Sequence, residues 1–201
     1  MERSGSMPPK AKVTKEDIIT AAVDIIRKDG EQNLNARTVA ASLGCSTQPV
    51  FSNYATMDEL KADIVERAYG IYQQCLQKEI ESGKYPPYKA SGIGYIRFAG
   101  EEKELFKLLF MRERSKDGQG ADHAWNSVIG AVQKATDFDK EQAELFHLEI
   151  WASVHGIASM IATSYLDWDF ELISQVLTDL FFGIKHQFDA RLGKEHTNES
   201  N

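Results

Sequence analysis

Helix-start and helix-stop signals alternate so closely between Thr14 and Glu59 that this stretch reads as short helices joined by tight turns. Thr14 is placed as an N-cap, with Asp17 three residues on in a capping-box arrangement. Ile18, Ala22, Ile25 and Ile26 then recur at helical spacing and form one apolar stripe. Gly30 closes that helix. Asn35 caps a second, "ARTVAASL", whose inward residues are Val39, Ala40 and Leu43; it stops at Gly44. Ser46 is expected to cap a third, "TQPVFSNY", with Pro49 in its first turn, where a missing backbone N–H breaks no bond. Thr56-x-x-Glu59 is a further capping box. It opens a long helix with Leu60, Ile64, Ala68, Ile71 and Cys75 on one side.

Beyond this helix, "SGKYPPY" (82–88) interrupts the pattern with Gly and two prolines. The rest stays helical. One segment covers 89–100, and a second, "EKELFKLLFMRE", is strongly amphipathic. A loop at Gly118 and Gly120 leads to a segment over 121–135 and a break at Asp137–Asp139. Two long helices, 140–165 and 169–191, are joined around "LDWD". β-Branched alternation is nearly absent, and no repeat occurs. The fold class is all-α: a small N-terminal three-helix domain, a long connecting helix and a larger helical bundle.

Residues 14–60 resemble the DNA-binding domain of the tetracycline-repressor (TetR) family. The likeness rests on Gly30, "RTVAASLG", Phe51, Tyr54 and "TMDEL", with the spacing from Gly44 to Phe51 to Leu60 kept without gaps. It covers about a quarter of the chain. One departure is Met57, where a lysine often precedes the two acidic residues and lies near a DNA phosphate. "IWASVHG" (150–156) resembles a Trp…His-Gly stretch found in one group of TetR-type ligand-binding domains. The resemblance implies a helix-turn-helix domain over 8–54 and an effector-binding and dimerisation domain over 55–192. It also implies double-stranded operator DNA and a small-molecule effector as partners, and a homodimer built by the last two long helices.

The formal net charge is −7. A generic polyanion binder is basic, so any grip on DNA here must be local. Arg37 is the single cation between Lys28 and Lys61. It sits with Thr38 in the first turn of the second helix, beside the groove in the family's docking. A helix-turn-helix can also bind through exposed amides at helix N-termini, which suit a phosphate. Asn35 and Ser46 place two such termini close together. Thr47, Gln48, Ser52 and Asn53 are candidates for base edges or phosphates, since Gln and Asn can pair bidentately with adenine. Pro49 lies among them, and Phe51 and Tyr54 offer contact to a thymine methyl or a phenol to phosphate. Lys10, Lys12 and Lys15 form a candidate N-terminal arm.

Phe98, Phe106, Phe110, Trp125, Trp151 and His155 are the candidate ligand-binding residues, because they combine aromatic density with polar groups that fix orientation. His155 followed by Gly156 is also a candidate for a close helix crossing. Ile173, Val176, Leu177, Leu180, Phe181, Ile184 and Phe188 form a stripe broader than one bundle face needs, which favours a dimer interface.

Glu144-x-x-His147 has the carboxylate–histidine spacing of di-iron bundles, but those need two copies and two more inward glutamates. The motif occurs once. His147 and His155 would stand about 12 Å apart along a helix, too far to chelate one ion. No metal, cofactor or catalytic residue is therefore expected.

Cys45 and Cys75 form no metal or redox motif and suggest a reducing compartment. No apolar run reaches the ~20 residues of a membrane helix. "MERSGSMPPK" has no signal-peptide core and reads as an appended stretch ahead of Met7, and the tail "GKEHTNESN" reads as frayed. The expectation is a cytoplasmic, ligand-responsive transcriptional repressor. Its rivals are a helical-bundle enzyme, which would need a nucleophile–base pair or metal set, and a small-molecule binding module without DNA binding.

Overall fold

The computed structural model describes residues 12–112 and 121–198, with only the backbone for 121–125 and 192–198. Lys10, the Gly118–Gly120 loop and the tail from 199 lie outside the described residues, as does the start of the expected first domain at residue 8. Within the described residues the structure is helical and has no strand. The chain divides into two compact units, one up to Arg67 and one from Ala68 on.

In the first unit, α1 (Lys15–Asp29) starts at the expected box: Asp17 N–H donates to Thr14 Oγ1 at 3.1 Å, and Thr14 N–H to Asp17 Oδ2 at 2.8 Å. Ile18, Ala22 and Ile26 are buried on its inward face. A short 3-10 turn at Glu31–Asn33 leads to α2 (Ala36–Ser42). Asn35 Oδ1 accepts from Arg37 N–H at 3.0 Å and Thr38 N–H at 3.1 Å. Gly44 turns the chain at φ +62°, a left-handed conformation that favours glycine. The third helix, α3, spans Gln48–Asn53.

Ser46 is not its cap. Thr47 holds the N-cap position, in a helical backbone conformation with no side-chain capping bond. Pro49, in the first turn, needs no N–H partner, so the start is set by turn geometry rather than by a hydroxyl. The next helix, α4 (Met57–Glu81), runs on into the second unit. Its box is offset by one residue: Thr56 Oγ1 accepts from Glu59 N–H, while the Glu59 carboxylate accepts from Ala55 N–H.

The second unit is built around α5 (Pro87–Glu101), in which Ala90, Ile93, Gly94, Tyr95, Ile96, Phe98 and Ala99 are all buried. A Cβ on Gly94 would stand 3.2 Å from the Leu76 Cα, so glycine lets α5 cross α4 closely. The short α6 (Lys103–Phe110) and then α7 (Ala121–Thr136), α8 (Lys140–Ala162) and α9 (Phe170–Asn198) complete the unit. The last helix therefore continues past the expected end at 191.

Two expectations need correction. By length and composition α8 is apolar enough to cross a membrane. It is a bundle helix here: Phe146, Ile150, Val154, Ile157 and Ala158 are buried, and Glu141, Glu144 and Glu149 punctuate it. Gly156 marks no close crossing within the subunit, since a Cβ there would meet nothing within 4 Å.

Candidate functional site

The first unit presents part of the expected DNA-contacting set to solvent. Arg37, Ser46, Gln48, Phe51 and Ser52 are exposed, Phe51 at 53%. They surround Val39, Ala40 and Val50, whose burial orients α2 and α3. Arg37 enters none of the described ion pairs, whereas Lys61 pairs with Glu31 at 3.3 Å and Arg67 with Glu16 at 2.5 Å. Thr38 Oγ1 is taken up in its cap, donating to the Asn33 carbonyl at 2.9 Å. Thr47 and Pro49 are half-buried.

Two members of the set point inward. Asn53 Nδ2 donates to the Pro49 carbonyl at 2.8 Å and to that of Val13 at 3.4 Å. Tyr54 is 2% exposed; its hydroxyl donates to Asp63 at 2.8 Å, and the Lys15 ammonium stands 4.6 Å above its ring. Tyr54 follows the buried Val50 by four residues and shares its face. Its phenol is therefore not available to a phosphate.

The second unit gathers an aromatic cluster. Phe98, Phe106 and Phe110 come together, with centroids 5.3 to 6.5 Å apart. Phe98 and Phe106 have no accessible surface, while Phe110 and His155 are half-buried. Trp151 is 42% exposed and stacks on His155 at 5.1 Å, so it faces outward. Trp125 lies on α7, outside the residues whose side chains are described.

Tyr72 and Tyr95, which the sequence did not single out, tie the cluster together. Tyr95 lies 5.0 Å from Phe110 and 5.3 Å from Phe106, and Tyr72 lies 5.1 Å from Phe110. Two tyrosine–histidine couples also cross from α5 to α8. Tyr88 Oη is 2.9 Å from His147 Nδ1, and Tyr95 Oη is 2.8 Å from His155 Nδ1. Tyr88 and Tyr95 are two turns apart on α5, as His147 and His155 are on α8. That matched spacing is the one sequence signal for the couples, and it has meaning only once α5 and α8 are known to pack. Glu144 pairs with Lys140 at 3.8 Å instead of joining His147.

Burial holds both histidines below the usual range and pushes the hydroxyls of Tyr88 and Tyr95 up. Each imidazole is then neutral at pH 7 and can accept a tyrosine proton at Nδ1. A histidine with a depressed folded pKa binds more protons when unfolded. Its stabilising contribution is complete above about pH 6.5 and is lost as pH falls through the folded value. Urea unfolding midpoints should therefore fall between pH 7.5 and pH 5, and the double variant His147→Gln, His155→Gln should fall less steeply. Equal slopes would show that the couples do not set the pH response.

The outer faces of α8 and α9 carry a second apolar surface. Leu145, Leu148, Trp151, Leu172 and Phe182 are each more than 40% exposed. Val176, Leu180, Gly183 and Ile184, with Asp179, line a shallow depression on α9. The expected α9 stripe is thus divided between two faces. Ile173, Leu177 and Phe188 are buried within the subunit, and Phe181 packs on Phe146 at 5.3 Å.

Residues 88–180 match the family described as tetracyclin repressor-like, C-terminal domain. The matched stretch runs from Tyr88 on α5 to Leu180 on α9 and includes both tyrosine–histidine couples. Over residues 88–180 the chain carries a TetR-type C-terminal domain. Its fold is similar to that of a TetR-like transcriptional regulator from Rhodococcus sp. RHA1, at 17% identity and a TM-score of 0.65, over 88% of this chain and 97% of that one. A Rhodococcus sp. RHA1 protein of unknown function gives 21% identity and 0.69, over 90% and 98%. The multidrug binding protein EbrR, complexed with malachite green, gives 19% and 0.57, over 86% and 98%. At these identities the likeness is one of fold. No curated protein matches the chain in sequence. The TetR family consists of transcriptional regulators rather than enzymes.

Proposed function

We propose that this chain is a TetR-family, ligand-responsive transcriptional repressor that works in the cytoplasm as a homodimer on a palindromic operator. The observation that carries the DNA-binding part is the exposed group Arg37, Gln48, Phe51 and Ser52 on α2 and α3, held out by a buried apolar core. Phe51 supports the reading most, because a large aromatic ring left 53% exposed has no use inside the subunit. The grip then comes from one arginine, uncharged side chains and helix-terminal amides. A dimer that engages two half-sites offsets the small number of cations. The domain division proposed is 8–54 for DNA and 55–192 for effector and partner subunit. The effector lodges among the aromatic residues of the second unit and shifts α4, a single helix that serves both units.

The test begins with selection of binding sites from random duplex DNA by the purified protein. Arg37→Ala is expected to weaken binding to the selected site by ~1–3 kcal/mol per half-site if Arg37 reads a guanine. If it touches phosphate, the loss should be equal on scrambled DNA and the salt slope should fall by about one unit per contact. Unchanged affinity in a folded variant would assign the grip to amides and uncharged side chains. Failure to enrich any sequence would leave a small-molecule binding module.

A further inference from the structure

We infer that the bundle site takes an uncharged, flat aromatic molecule with one hydrogen-bond acceptor, recognised by the Tyr72 hydroxyl; this rests on the ligand-binding reading above. Tyr72 stands on α4 with Tyr69, Tyr95, Phe98 and Phe110 around its ring, at centroid distances of 5.7, 5.9, 5.3 and 5.1 Å. The hydroxyls of Tyr88 and Tyr95 are already committed to histidines. That of Tyr72 forms no hydrogen bond with a described residue. Yet no enclosed polar side-chain atom among the described residues is without a partner. The Tyr72 oxygen therefore borders space that another polar atom can enter. Burial pushes its pKa up, so the group there is a protonated donor.

The surroundings set the ligand's charge. The shifts of Tyr72, Tyr95 and His155 arise from burial and from neighbouring phenol or thiol groups, with no carboxylate or cation among the causes. Charges on α4, α5 and α6 are engaged with one another. Arg97 holds Glu79 at 2.9 Å and reaches Glu101 at 3.8 Å, and Lys107 holds Glu104 at 2.6 Å. An ionised ligand would lose its hydration with no opposite charge to replace it. A neutral ring loses nothing of that kind and stacks edge-on or offset against the aromatic walls. An acceptor on that ring then meets a phenol whose proton is not committed to another described residue.

Three probes of nearly one shape separate the possibilities: naphthalene, quinoline and N-methylquinolinium. Binding to the full-length protein at about pH 8, where quinoline is neutral, is followed by tryptophan fluorescence and calorimetry. Quinoline should bind at least about tenfold tighter than N-methylquinolinium. Tyr72→Phe keeps the ring contacts and should weaken quinoline by about fivefold, the worth of one net hydrogen bond, while leaving naphthalene unchanged. N-Methylquinolinium binding as tightly as quinoline would overturn the inference, and so would a Tyr72→Phe protein that holds quinoline undiminished. Binding of none of the three at millimolar concentration, to protein that is folded by circular dichroism, would remove the ligand site itself along with the inference.

Discussion

Leu180→Glu combined with Ile184→Glu is expected to convert a dimer into monomers and to abolish specific DNA binding without unfolding the subunit. Both residues line the shallow depression on the outer face of α9, and both are half-buried rather than part of the sealed core. That face continues with exposed Leu172 and Phe182 and, on α8, with Leu145, Leu148 and Trp151. Fully burying side chains of this size is worth about 1.5–3 kcal/mol each, so a contact between two such faces gains far more than one residue can supply. Four carboxylates placed in the contact, two from each subunit, reverse the balance, because buried unpaired charges cost several kcal/mol apiece. Sedimentation velocity should show a monomer, and circular dichroism should show retained helix. A dimer that persists would move the interface elsewhere. A monomer that still binds the selected operator at full affinity would refute the two-half-site reading.

Phe98→Ala is expected to cost about 3–5 kcal/mol of folding stability, the range for emptying a buried aromatic site. Phe98 has no accessible surface, and its ring packs against Tyr72 at 5.3 Å and against Phe106 and Phe110 at 6.5 and 6.4 Å. Typical domains are stable by about 5–15 kcal/mol, so the loss is a large share of the total. For a chain of this size it corresponds to a fall of roughly 10 °C in the melting midpoint. Tyr165→Ala is the control. That ring is 79% exposed, and its removal should stay within about 0.5 kcal/mol. Equal effects from the two variants would mean that the Phe98 cluster does not hold the second unit together.

Some of the site was legible because its physics is local. Thr14 with Asp17 and Asn35 with Thr38 form their caps within three residues, so no distant part of the chain is needed to make or break those bonds. For a related reason, Ser46 does not cap α3. A hydroxyl before a helix is a permissive signal, and the tight turn at Gly44 with Pro49 carried the start to Gln48.

Other assignments depended on which side of a helix finds a neighbour. The inward turn of Tyr54 follows from α3 burying Val50, and periodicity alone leaves both faces of a six-residue helix open. Trp151 and Phe106 are both aromatic residues on amphipathic helices, yet one faces outward and the other is sealed.

The sequence by itself determined the all-α class, the caps, the break at "SGKYPPY" and the apolar stripes, because backbone bonding and 3.6-residue periodicity act over a few residues. Only the tertiary structure decided that the α9 stripe serves two faces. Only there, too, do Tyr88 and Tyr95 meet histidines 59 and 60 positions away. Nor could the sequence tell that the hydroxyls of Tyr88 and Tyr95 are committed to histidines while that of Tyr72 is not. Each of these outcomes depends on which side chain stands opposite across a helix contact. That is a property of packing between segments far apart in the chain, and no local pattern encodes it.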